Sequence, residues 1–123
     1  MRWIFAGLAG TLICSAALAA VLPHEAAYLA ENKTAMDRMM DGMAVKPSGN
    51  VDADFAAMMI PHHQGAIDMA VAELRHGTNP QLRRIAQEII VDQQQEIAAM
   101  KLALGQKLPP SVPAPTMAGM AMH

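Results

Sequence analysis

Aromatic side chains are nearly absent from this chain, at 3% of 123 residues, which excludes a core built on ring packing. A single cysteine, Cys14, excludes a disulfide framework, thiolate zinc and iron–sulfur clusters within one chain. Charge is also sparse. Only 16% of residues are charged, the formal net charge is -2, and there is no basic stripe of the kind a nucleic-acid binder presents. Nowhere does the chain alternate polar and apolar residues long enough to suggest a sheet. The length allows one domain. What is present is methionine, 12 residues of it, within a composition that is 53% hydrophobic and otherwise supplied by Ala, Leu, Ile and Val. The chemistry available is therefore that of His, Met and carboxylate.

The first residues read as an address. Met1-Arg2 gives a positive start, Trp3 to Val21 is apolar or small, and Ala17-Leu18-Ala19 has the small-x-small pattern of a cleavage site. Residues 1–19 are thus expected to be a signal peptide, with an uncleaved anchor as the alternative. Ile13 before Cys14 is too large for a lipoprotein site. Cleavage removes Trp3, Phe5 and Cys14 together, leaves a net charge of -3, and implies export to the periplasm.

The rest reads as three helices and a tail. Over residues 24–44, Leu29, Asn32, Met36, Met39, Met40 and Met43 recur at spacings of three and four, as one helix face does. Lys46-Pro47-Ser48-Gly49-Asn50 is a loop. A second helix is expected from near Asp52, as N-cap, to His76, stopped by Gly77 and kinked or broken at Pro61. The third is punctuated by Asn79 as cap, Pro80 in the first turn and Gly105 after Leu104. Its stripe is Leu82, Ile85, Ala86, Ile89, Ile97, Met100 and Leu104. The expected fold is all-α: an antiparallel up-down helical bundle over residues 20–108, with a fourth helix supplied by a second copy if the chain forms a homodimer. Residues 109–123 form a Pro- and Met-rich tail expected to be flexible.

Polar groups interrupt the apolar faces. On the second helix Ala56, Met59, Ile60, His63, Ile67, Ala70 and Leu74 share one sector, and His62 aligns with Phe55, Met58, Ala66 and Met69. On the third, Gln93 and Glu96 break the stripe, and a carboxylate there needs a partner or a metal. In an antiparallel pair turning near residue 78, residue 62 falls opposite roughly residue 94. Counting back through the first loop places Met43 level with Asp52 and Met36 level with Met59. Met36, Met39, Met40, Met59, His62, His63, Gln93, Glu96 and Met100 are therefore expected in one layer. A methionine stripe is in many proteins mere core filler. Thioether combined with imidazole, however, suits Cu(I) and by extension Ag(I), whereas carboxylate and imidazole suit harder ions. Met117, Met120, Met122 and His123 repeat that chemistry in the tail. The lone Glu73-x-x-His76 motif falls short of the paired motifs of a di-iron bundle, and no Cys-x-x-Cys-His is present for covalent haem.

The segment Asp54-Phe55-Ala56-Ala57-Met58-Met59-Ile60-Pro61-His62-His63-Gln64-Gly65-Ala66-Ile67-Asp68-Met69-Ala70 closely resembles the domain of unknown function 305 family, which includes the CopM-type periplasmic copper-binding proteins. Ile89-Ile90-x-x-Gln93-x-x-Glu96-Ile97-x-x-Met100 resembles that family's second signature. The resemblance spans roughly residues 35–104. It implies a ferritin-like bundle, export, and binding of Cu(I), Cu(II) or Ag(I) in metal resistance, with metal roles at Met59, His62, His63, Met69 and Met100. Met36, Met39, Met40 and Met43 correspond to its Met-rich helix. Met58, beside the pair, and Glu96 complete the candidate ligands. The expectation is a non-enzymatic protein that buffers copper or passes it to copper-exporting or copper-accepting envelope proteins. The alternative is a helical envelope interaction or chaperone-like module whose Met-rich faces bind apolar segments.

Overall fold

The computed structural model describes residues 20–108 and 110; the expected signal peptide and the four candidate ligands of the tail lie outside the described residues. Three helices account for the described chain: α1 (Pro23–Met43), α2 (Val51–His76) and α3 (Pro80–Ala103), with no strand among the described residues. The protein is an all-α, antiparallel up-down assembly. None of these helices is long and apolar enough to cross a membrane.

The helix ends follow from local chemistry. Asn50, two residues before the expected cap, accepts from the Ala53 N–H at 3.1 Å, while Asp54 accepts from the Ser48 N–H at 3.0 Å. Asn79 caps α3 as expected, accepting from the N–H groups of Gln81 and Leu82 at 2.9 and 3.2 Å. Gly105 adopts φ 72°, a left-handed conformation open to a residue without Cβ, and ends α3. The α2–α3 corner is clasped by Arg83, whose Nη1 donates to the carbonyls of Leu74 at 2.7 Å and Gly77 at 2.6 Å. Those carbonyls lie where the helix leaves its own acceptors unpaired. α2 runs unbroken through Pro61.

α2 is the middle element: α1 and α3 each pack along it and scarcely meet one another. The sides used are nearly opposite. Gly65 and Ala72 lie toward α1, while Ile67 and Leu74 lie toward α3, roughly 180° around the helix. The result is a flat layer rather than a closed triangle. Its core is Ile67, Ala70, Leu74, Ala86 and Ile90 at the α2–α3 seam, with Val71, Ile89 and Ile97 against it.

Two sequence expectations change here. The Met face of α1 is not core: Leu29, Met36 and Met40 are 47%, 50% and 60% exposed, and the only buried residue of α1 is Ala35. α1 meets α2 through small residues, because these let two backbones approach closely. A Cβ placed on Gly65 would come within 2.8 Å of Met39 Cβ and Sδ, and one on Gly42 within 2.6 Å of Pro61 Cβ. On α3, Ile90 is the fully buried side chain although it falls outside the expected stripe, whereas Leu82 and Ile85 are half exposed.

The axial register of α1 also differs. With Met39 against Gly65 and Gly42 against Pro61, Met36 lies level with Asp68–Met69 rather than Met59. That is a shift of about nine residues, on the order of 13 Å of helix rise. The physical reason is the connector, residues 44–50, which carries no helix and continues beyond the end of α1 before α2 begins. An extended connector of that length spans up to about 23 Å, so the first turns of α2 overhang α1.

Candidate metal centre

His63 is the best-defined candidate. Its side chain is 12% exposed, and Nδ1 donates to the Met59 carbonyl oxygen at 2.8 Å, one helical turn back. A carbonyl can only accept, so Nδ1 carries the proton and Nε2 is the nitrogen presented across the α2–α3 seam. There it lies 2.7 Å from Oε2 of Glu96, whose side chain is 57% exposed. A proton on Nε2 makes this an ion pair, and a metal cation can take that proton's place. Anchoring one ring nitrogen on a backbone carbonyl while the other is free to ligate is the usual way a metal-binding imidazole is oriented. His62 is exposed, with its ring centroid 5.9 Å from that of His63.

The thioethers sort by level. The His63–Glu96 contact places Met100 one turn along α3 and level with Met59, both half-buried. Residue 63 thus pairs with 96, a register about three residues from the expected one, and Glu96 rather than Gln93 stands beside the histidine. Across the other seam, Met39, Met40 and Met43 fall level with the Pro61–Gly65 segment. Met36 is displaced toward Met69, which lines a hollow of about 310 Å³ with Ala66, Ile85 and Ile89 between α2 and α3. Met58 is 39% exposed beside His62. The expected single layer is therefore not assembled: Met59 and Met100 lie level with the His63–Glu96 pair at the α2–α3 seam, Met39, Met40 and Met43 lie at a similar level on α1 across α2, and Met36 and Met69 sit farther down. Among the described residues, no three His, Cys, Asp or Glu side chains gather as a metal-binding group.

A second polar group escaped the sequence reading. Glu31 of α1 accepts from Arg75 Nη1 at 3.1 Å and meets His76 Nε2 at 2.9 Å, with the Tyr28 ring edge-on to His76. The hydrogen bond from His76 and the charge of Arg75 hold the Glu31 carboxyl below its usual range, against an opposing effect of burial. His76 is thus tied to a helix–helix clamp, and its Glu-x-x-His spacing serves no paired site. The available signal was the glutamate one turn before Ala35, on the side of α1 that packs.

The fold and these positions define a small all-α protein with methionine and histidine spread over both seams of a three-helix layer. The chain belongs to the family described as domain of unknown function (DUF305), whose model matches residues 18–104. A comparison with curated proteins finds no match.

Proposed function

We propose that this protein is a non-enzymatic, periplasmic copper-binding protein that buffers Cu(I) or passes it to an envelope partner, with Ag(I) and Cu(II) as further cargo. The observation that carries the reading is His63, held by the Met59 carbonyl with Nε2 at Glu96, in a seam where Met59 and Met100 lie one turn away. Neutral sulfur ligands suit a soft monovalent ion, and an imidazole adds affinity that protons compete for. Glu96 beside the same nitrogen is a harder ligand and supports Cu(II) as a secondary cargo. In this reading Met117, Met120, Met122 and His123 collect the ion at the tail, and the apolar start with its Ala17-Leu18-Ala19 pattern supports export to the periplasm.

The test is titration of the metal-free protein with Cu(I) against a competing chelator. Met59→Leu and His63→Ala should each weaken binding at least tenfold, and His62→Ala less. Weak binding that none of these changes alters would overturn the reading. A second reading, a chaperone-like module for apolar segments, draws on the half-exposed Met, Leu and Ile side chains of the layer. Suppression of client aggregation that is equal with and without copper, and insensitive to His63→Ala, would favour it.

A further inference from the structure

The two faces of the layer differ in kind. One carries Arg38, Asp68, Gln64 and Thr34, and opens into a polar hollow of about 420 Å³ between α1 and α2. The other carries Met36, Met40, Phe55, Met58, Leu82 and Ile85, each between 39% and 60% exposed. Glu73 lines both the apolar hollow between α2 and α3 and the one beside Tyr28, so both hollows open on this second side.

An amphipathic layer has to bury its apolar face against another layer, and the described residues supply none. Within the layer only Ile67, Leu74 and Ile90 are large buried side chains, a small core for a chain of this size. We infer that the Met-rich face is a self-association surface on which a second copy of this chain packs, face to face about a two-fold axis. The inference does not depend on metal.

Area supports it. Six side chains of roughly 200 Å² each, about half exposed, present on the order of 600 Å², and the hollow beside them adds more. A stable interface takes about 800 Å² from each partner. Charge supports it as well. The carboxylates on this side are Glu25 and Glu73, at the hollow beside Tyr28, and Glu96, already bonded to His63, so the Met, Leu and Ile side chains between them carry no charge to oppose its own image across an isologous contact. The tail is a poorer cover, because residues 109–123 hold only Val112, Met117, Met120 and Met122 as large apolar side chains.

Sedimentation velocity on the chain as the cell processes it, freed of metal with a chelator, tests the inference. Wild type should sediment as a dimer. Leu82→Glu combined with Ile85→Glu should give a monomer with unchanged helical circular dichroism. Val91→Glu, on the outer edge of α3 in line with Arg84 and Glu88, should leave the dimer intact. If the first pair of substitutions unfolds the chain, Met36→Glu with Met40→Glu on α1 gives the same readout. A wild-type monomer across the concentration range, or a dimer that both face variants retain, would overturn the inference. So would a monomer whose face becomes accessible only when residues 109–123 are deleted, since that assigns the cover to the tail.

Discussion

The two seams of the layer are built from different materials. Along α2–α3, Ile67, Leu74 and Ile90 are buried in mutual contact, and Arg83 ties the corner. Along α1–α2 the contacts are Gly42 on Pro61, Met39 on Gly65, the buried Ala35 and Ala72, and a charged clamp at Glu31. The first seam rests on apolar area removed from water. The second rests on close backbone approach and exposed ion pairs, which contribute little each. α2 and α3 should therefore form the more stable unit, with α1 opening first. The metal candidates span both seams, so the α1 thioethers are the adjustable part and His63 the fixed part.

That asymmetry can be broken in order of effect. Ile90→Ala, which empties the one fully buried large side chain, should cost about 2–5 kcal/mol and be read as a lowered denaturant midpoint for the whole chain. Arg83→Ala removes a charged donor from two carbonyls and should cost about 1.5–3 kcal/mol in the same measurement. Gly42→Ala brings a methyl group against the Pro61 ring, which cannot give way as a flexible side chain would. The overpacking, about 1–3 kcal/mol, is partly offset by about 1 kcal/mol of helix propensity. Its signature should be faster amide exchange in α1 with little change in α3.

The smallest effect is the pH response of the clamp. Glu31 has a lowered pKa in the folded state, so its contribution is present above the usual carboxylate value of 4.5 and fades as pH falls through the folded value. Solvent exposure keeps this below about 1 kcal/mol. Acidification should release α1 before α3 by amide exchange, and Glu31→Gln should flatten that difference. An α1 that stays as protected as α3 throughout would dissolve the distinction between the seams.

Several features were legible without coordinates. Asn79, Pro80 and Gly105 bounded α3 because capping and left-handed turns depend on local chemistry. The inward sector of α2 was also right, since Ala56, Ile67, Ala70 and Leu74 are buried. The packing side of α1 is not legible from its hydrophobic periodicity. In fact α1 packs on small residues, which carry almost no hydropathy signal, and its methionines are left outside. Ile90 was missed for a related reason: apolar residues at 85, 86, 89, 90 and 97 define a broad sector whose centre only a partner can select. The partnership of His63 with Glu96 was half visible, as two polar interruptions on facing stripes. Which nitrogen faces which group was not.

Helix count, helix ends, the presence of His and Met chemistry and the family membership all follow from residues close together in the chain, where propensity, capping and spacing act locally. The axial register of α1, the flat rather than triangular arrangement and the exposure of the thioether face depend on how far the connector at residues 44–50 runs before α2 begins. They depend equally on which backbones can approach most closely, at Gly42 and Gly65. Those are distances between segments remote in sequence, set by packing and not by periodicity.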